Sequence, residues 1–404
     1  MNWEQKKISN TGMVVTGKTP PTAHKEYYGG DYLFVTPTDL DHNNYYVKKT
    51  NSTISDIGKE VMRKQFLPPN SVMFTCIGNT IGKIAINHQE CLTNQQINSI
   101  IPNGNNNYKF LYYLLIHITP QIRLLGGGVA TPIVNKTKFE NIEIRVPPLP
   151  VQCKIAGILS AYDDLIENNL KRIKLLDEAV MIIHKEFTQE LSRSGSTHFE
   201  YVKDCLAFYI GGGWGEEDYS EVFTEPAYVI RGTDIPDVRK GNMSDIPLRY
   251  HKASNLASRQ LASGDIIFEI SNGQIKNIGR TNLVTDILLR QFEFPVMCAS
   301  FTKLIRCNDK INPEYFYLIL TDSQRNGLLY QYKSNSANGI NNFAFETFIN
   351  EFKIQIPSDN ELREYSKIVK PYLTLASLLG EQNSKLRAAR DILLPKLMKG
   401  EIEV

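Results

Sequence analysis

Phe34-Val-Thr-Pro-Thr-Asp-Leu40 returns 195 residues later as Val229-Ile-Arg-Gly-Thr-Asp-Ile235. A repeat has to be read before any local feature, because it dictates architecture. Outward from this pair, the same landmarks follow in the same order in each half. Trp3-Glu4 matches Phe199-Glu200, and Gly17 matches Gly213. Asn70-Ser71-Val72-Met73-Phe74 matches Gly264-Asp265-Ile266-Ile267-Phe268, and Gly82 matches Gly279. Phe110 matches Tyr315, and Val146-Pro147 matches Ile356-Pro357. The offset drifts between 194 and 210 residues in small steps, as insertions in surface loops of a shared scaffold produce. The chain is read as a tandem duplication.

Within a half the pattern is mixed. Tyr32 to Val35 and Ser71 to Thr75 are short β-prone runs bounded by Pro, Gly and Asn, which reads as strands. Ile84 to Ile86 and Ile97 to Ile101 continue that style, whereas Tyr108 to His117 and Pro313 to Leu320 read as short helices. Asn312-Pro313 has the form of an N-cap followed by a helix-first proline. Asp39 and Asp234 are expected to cap a turn after a strand.

Two longer segments follow the halves. After Pro147-Pro148-Leu149-Pro150, apolar residues recur in steps of four and three at Ile155, Leu159, Tyr162, Ile166, Ile173, Leu176, Val180, Ile183 and Phe187. That is a heptad seam, and a helix from about Val151 to Leu191 is a rod of about 60 Å. Ser192 to Thr197 reads as a linker. The second rod opens on Ser358-Asp-Asn-Glu361, a capping box. Its seam runs Val369, Tyr372, Ala376, Leu379, Leu386, Leu393, Leu397, with Pro371 and Pro395 expected to kink or interrupt it. Asn169 and Asn383 are the polar exceptions. An asparagine at such a position either fixes register or meets solvent at a frayed spot. Neither seam is expected to face water, so the rods are predicted to pair, carrying the linked globules to opposite ends. The alternative is that each helix packs on its own globule. The resulting fold class is α+β: two duplicated mixed α/β domains separated by a pair of long antiparallel coiled-coil helices. The boundaries are 1–150, 151–195, 196–357 and 358–404.

Composition bounds the function. At 404 residues, 42% hydrophobic and 22% charged, the chain has the profile of an ordinary globular protein. No apolar run approaches the roughly 18 residues of a membrane span, and Met1 to Lys7 lacks the apolar core of a signal peptide. The six scattered cysteines fit reduced thiols in cytoplasm. A net charge of +2 is small for a stand-alone DNA binder. It permits DNA binding if the basic residues gather on one face or a partner supplies phosphate contacts. Catalytic signatures fail one by one. Gly78 to Ile84 has three residues between its glycines where a phosphate loop has four, and Ile84 stands where Ser or Thr would bind Mg²⁺. Neither Gly126-Gly-Gly128 nor Gly211 to Gly215 forms a dinucleotide fingerprint. There is no H-E-x-x-H, no G-x-S-x-G and no Asn-Pro-Pro-aromatic motif. The seven histidines are dispersed, so no metal site is expected.

With these halves, the paired seams and the closing Leu393-Leu-Pro-Lys-Leu-Met-Lys-Gly-Glu-Ile-Glu-Val404, the chain resembles the specificity subunits of type I restriction–modification systems. The resemblance also rests on Gly17-Lys-Thr-Pro20 with Tyr27-Tyr-Gly-Gly30, Thr38-Asp39, and Pro147-Pro-Leu-Pro-Val-Gln-Cys-Lys-Ile-Ala156. It covers essentially the whole chain and depends on the arrangement rather than on one motif. The Ser358-Asp-Asn start and Pro371 depart from the family pattern. The resemblance implies two target recognition domains, each reading half of a split, asymmetric sequence in double-stranded DNA. It implies two methyltransferase subunits docked on the rods and two restriction subunits in the full complex. S-adenosylmethionine, ATP and Mg²⁺ would then be used by those partners and no cofactor by this chain.

Candidate base-reading residues are Arg, Lys, Asn, Gln and Thr in loops, since guanidinium forks pair with guanine and amides with adenine. In the first half these are Lys18, Thr19, Asn79, Thr80, Lys83, Asn94, Gln95, Gln96, Asn135 and Lys136. In the second they are Arg231, Asn272, Gln274, Lys276, Asn277, Arg280, Asn338 and Asn341. Two other readings stay open: a DNA-recognition subunit whose partner fuses methylase and nuclease, and a coiled-coil scaffold with tandem protein-binding domains.

Overall fold

A computed structural model describes residues 3–40, 45–127, 132–193, 198–335 and 341–404. The chain forms two compact units, Met1–Glu167 with Leu386–Val404, and Asn168–Lys385. Among the described residues, the helices longer than ten residues are α1 (Tyr108–Leu125), α2 (Leu149–Arg193), α3 (Pro313–Arg325) and α4 (Asp359–Lys399). The division between units runs through α2 and α4 rather than at their ends.

In the first unit a five-stranded sheet has the order Gly12–Thr16, Ile97–Pro102, Val72–Thr75, Ile84–Asn87, Tyr46–Val47. All its pairings are antiparallel except the last. A three-stranded sheet sets Tyr28–Val35 between Ser52–Ile54 and Cys91–Thr93, parallel to the latter. Glu4–Lys7 pairs with Glu143–Val146. Val72 to Thr75 and Ile84 to Asn87 are buried at every position, which explains why they read as continuous apolar runs instead of alternating ones.

The second unit repeats this plan. Its four-stranded sheet has the order Leu206–Gly211, Thr302–Cys307, Ile266–Glu269, Thr281–Leu283. Glu225–Ile230 lies between Leu248–His251 and Val296–Cys298, again parallel to the latter. Phe199–Tyr201 pairs with Lys353–Gln355. Glycine positions repeat too. Asn70 (φ 65°) and Gly264 (φ 91°) both adopt the left-handed conformation that asparagine and glycine tolerate. One pairing is corrected: the structural partner of Gly17 is Gly212, not Gly213. Gly17 N donates to Ile97 O and Lys18 N to Thr93 O, while Gly212 N donates to Thr302 O and Gly213 N to Cys298 O. A Cβ on Gly17 or on Gly212 would lie 2.2 Å from a carbonyl oxygen of the facing strand end, so glycine is required at that register.

The long helices pack on each other and on a head within each unit. In the first, Ile155 and Leu159 of α2 share a core with Leu394, Leu397 and Met398 of α4 and with α1. In the second, Val180 of α2 joins Leu362, Tyr365, Val369 and Leu373 of α4, and Ile173 meets Ala376 and Leu379. The start of α2 therefore meets the end of α4, and its end meets the start of α4: the pair is antiparallel.

Several expectations need adjusting. Neither Pro371 nor Pro395 interrupts α4. Pro371 sits on the exposed side between the buried turns of Val369 and Leu373, whose packing outweighs one lost ladder bond. Likewise α1 continues through Pro120 to Leu125. Helix α2 starts two residues before Val151, with Pro150 in its first turn, where a missing N–H costs nothing. Ser192 and Arg193, expected in the linker, close the helix. Leu373 and Leu394 are buried where Tyr372 and Leu393 were expected, and Tyr162, Leu176, Ile183 and Leu386 are only half-buried. Beside them lie Asp163 and His184, buried polar groups that a search for apolar periodicity passes over.

The two seam asparagines meet. Asn169 Nδ2 donates to Asn383 Oδ1 (3.0 Å) and Gln382 Oε1 (3.1 Å), and Asn383 Nδ2 donates to Lys240 O (3.1 Å).

Candidate nucleic-acid interface

The turn closing the repeated strand comes first. In one copy Asp39 Oδ2 accepts from Thr36 N (2.8 Å); in the other Asp234 Oδ2 accepts from Arg231 N (2.8 Å). Both aspartates are caps, as their place after a strand suggested. Arg231 folds back on Asp234, with Nε donating to Oδ2 (2.8 Å) and Nη2 to Asp245 O (2.8 Å). Its hydrogen bond to Asp234 raises its pKa.

In the first unit four loops are knitted at one edge. Cys76 N donates to Gln96 O, Gly78 N to Pro132 O, and Lys18 N to Thr93 O. This brings together Lys18, Thr19, Asn79, Thr80, Lys83, Asn94, Gln95 and Gln96. Thr19 Oγ1 donates to Gln95 Oε1 (2.8 Å), and Asn94 Nδ2 to Gln96 Oε1 (3.3 Å). Lys83 Nζ donates to Pro37 O (2.9 Å) and Thr80 Oγ1 to Ile77 O (2.8 Å). Asn79 and Gln95 are exposed. Asn135 caps the short helix Lys136–Glu140 by accepting from Lys138 N, and Lys136 sits 3.6 Å from Glu140. Those two residues have a local structural use.

In the second unit Asn272 gathers the candidates. Its Oδ1 accepts from Gln274 N (2.8 Å) and Asn277 Nδ2 (3.2 Å), while Asn341 Nδ2 donates to Gly273 O (3.2 Å). Gln274 and Lys276 are exposed. Asn338 lies outside the described residues. Arg280 Nη2 donates to Gly232 O (3.1 Å) and its Nε to Glu269 Oε2 (2.7 Å).

Three neighbours of this cluster were not anticipated. Glu269 is 1% exposed, a carboxylate ending the apolar strand Ile266–Glu269; the lone charge in that run was the available signal. Phe301 is 59% exposed beside the backbone of Ile270, whose N donates to Phe301 O. Lys333 Nζ donates to Ile275 O (2.8 Å), and burial pulls its pKa down. Nothing in the sequence marked these two out.

Among the described residues no group of three His, Cys, Asp or Glu side chains is placed to hold a metal ion, and no helix is long and apolar enough to cross a membrane.

Comparison with known proteins places these features. Residues 1–177 match the model of the type I restriction modification DNA specificity domain. The chain is 26% identical over its whole length to the type I restriction enzyme MjaIX specificity subunit of Methanocaldococcus jannaschii, covering 94% of that protein. It is 31% identical over 47% of its length to the HindI specificity subunit of Haemophilus influenzae, spanning 42% of that relative. The crystal structure of a type I restriction-modification S subunit from M. genitalium shares the fold, with TM-score 0.55 and 16% identity over 98% of this chain and 96% of that one. Two unlike copies of one domain, paired antiparallel helices and these matches agree: residues 1–177 match the type I restriction modification DNA specificity domain, and the chain is similar over its whole length to a type I restriction enzyme specificity subunit.

Proposed function

We propose that this chain is the sequence-specific DNA-binding subunit of a type I restriction–modification complex. Its two domains read the halves of a bipartite, asymmetric site. The observation that carries the reading is the duplicated domain whose copies keep one backbone plan while their edge loops differ. The first presents Thr19, Gln95 and Lys83; the second presents Asn272, Asn277 and Arg280. Different side chains on one scaffold read different half-sites, since base-edge contacts specify sequence while phosphate contacts only position. Apolar residues exposed on α2 and α4, including Ile158, Leu165, Leu175, Ile182, Ile368 and Ile392, suit docking of partner subunits. Two methyltransferase subunits would bind there, with two restriction subunits joining the full complex, and these partners would carry methyl transfer from S-adenosylmethionine and ATP- and Mg²⁺-dependent cleavage. The chain itself contributes recognition, in cytoplasm, where its partners and DNA are. Methylome sequencing of the host with and without this gene tests the proposal. Loss of one split methylated motif on deletion is expected; an unchanged methylome refutes the reading and leaves a protein-binding scaffold in its place.

A further inference from the structure

Both domains contain the same backbone loop, and a cation closes it in each. In the first domain Thr75 N donates to Lys83 O (3.0 Å), Gly82 N to Thr75 O (3.2 Å) and Lys83 N to Thr80 O (3.1 Å). In the second, Glu269 N donates to Arg280 O (2.9 Å), Gly279 N to Glu269 O (2.9 Å) and Arg280 N to Asn277 O (3.2 Å). A 3-10 turn, Gly78–Thr80 or Ile275–Asn277, leads in each case to a left-handed glycine, Gly82 (φ 98°) or Gly279 (φ 81°). The cation follows. It then reaches the same neighbour: Lys83 Nζ bonds Pro37 O and Arg280 Nη2 bonds Gly232 O. Pro37 and Gly232 occupy one position of the repeated Thr-Asp turn.

The difference lies beneath the cation. Where the first domain has Thr75, the second has buried Glu269. Its Oε2 holds Arg280 Nε at 2.7 Å and its Oε1 accepts from Asn272 Nδ2 at 2.7 Å. A Cβ on Gly232 would come 2.3 Å from Glu269 Oε1, so glycine in the turn makes room for the carboxylate. Arg280 keeps 21% of its side chain exposed.

We propose that Arg280, clamped by Glu269 and the Gly232 carbonyl, is a guanine-reading fork of the second domain, and that Lys83 stands at the same reading position of the first. A guanidinium has five N–H donors, and two are taken here. Those left include both donors of Nη1 and one of Nη2, the end-on pair that matches O6 and N7 of guanine in the major groove. The buried carboxylate neutralises the arginine. That is a poor arrangement for attracting phosphate and a good one for presenting a rigid fork, because the side-chain entropy of reading is already lost before DNA arrives. Glu269 is a positioning residue: it touches Arg280 and Asn272, not DNA. Beneath Lys83 lies Thr75 in place of a carboxylate, and its ammonium is a point charge with three donors rather than a planar fork.

The inference rests on the DNA-recognition reading, and its test separates the two. The full chain, co-purified with its methyltransferase subunits, selects sites from a randomised duplex pool. Arg280→Lys keeps the charge and loses the fork. It is expected to lose discrimination at one guanine of one half-site, on the order of ten- to a hundredfold, with the other half-site unchanged. Glu269→Gln is expected to weaken preference at that same base pair. Lys83→Ala is expected to alter only the other half-site. Thermal melts of each variant show whether it is folded, and Glu269→Gln carries the test if Arg280→Lys is not. Folded Arg280→Lys and Glu269→Gln proteins that select the wild-type motif with wild-type discrimination overturn the proposal. So does a loss spread evenly over all positions, the mark of a phosphate contact. A wild-type complex that selects no motif overturns the recognition reading itself, and the base assignment with it.

Discussion

Asn169 and Asn383 show how single residues acquire meaning from their partners. Each stands alone as a polar break in an apolar seam; together they form a hydrogen-bonded layer closed by the Lys240 carbonyl. Asn169→Leu should cost about 1–3 kcal/mol, since it strips a buried acceptor of its donor. Chemical denaturation of this variant beside Asn169→Leu/Asn383→Leu checks it, the double variant recovering part of the loss. Arg390 is a second case. It bonds Asp163, which also accepts from Tyr113. Arg390→Ala should destabilise by about 3–5 kcal/mol by leaving that buried carboxylate without its counter-charge; a shift under 1 kcal/mol in a urea melt would contradict this. His184 is buried among Phe187, Tyr315 and Tyr365 and bonds Tyr365 Oη at 2.8 Å. Burial lowers its pKa from 6.5 to about 4. The folded state therefore binds fewer protons than the unfolded state across that interval. The stability from keeping the imidazole neutral is complete above about pH 6.5 and declines as pH falls toward 4. Between pH 7 and 5 the loss should be about 2 kcal/mol. His184→Gln should flatten that part of the stability profile measured by melts at the two pH values.

At the scale of elements, caps and periodicity were largely legible. Asn312 accepts from Tyr315 N ahead of Pro313, and Ser358 and Glu361 bond reciprocally. These interactions are local, so neighbouring residue types suffice to specify them. The exact faces of the long helices were less legible. A strict 3.5-residue repeat drifts from the 3.6 of a straight helix, which is why burial moves to Leu373 and Leu394. Packing of a loop against α4 was not legible at all. Gly241 (φ 72°) lies against Gly380, where a Cβ on Gly241 would fall 1.8 Å from Gly380 O and one on Gly380 would fall 2.7 Å from Arg239 O. Gly380→Val should cost more than about 2 kcal/mol despite the better helix propensity of valine, and a thermal melt no lower than wild type would show that the loop can yield.

For the whole molecule, the duplication predicts that the two half-sites are separable from the gap between them. Inserting one heptad after Glu167 in α2 and one after Lys385 in α4, at the boundary of the compact units, should change the unread gap in the methylated motif while leaving both half-sites intact. Methylome sequencing reads this directly, and an unaltered gap would defeat the proposal that the helices set it. With a net charge of only +2, affinity for duplex DNA should still fall steeply with salt if edge loops and partners supply phosphate contacts; binding indifferent to ionic strength would argue against them. The amino-acid sequence alone determined the repeat, the short strands, the helix caps and the demand that two apolar seams be covered, because these follow from residue type and spacing along one chain. Tertiary structure decided which candidates share an edge, that Gly17 answers to Gly212, and that Arg280 is held by Glu269. Those depend on strand register and on a buried charge that meets its partner across a loop of the sheet, and neither is written in periodicity.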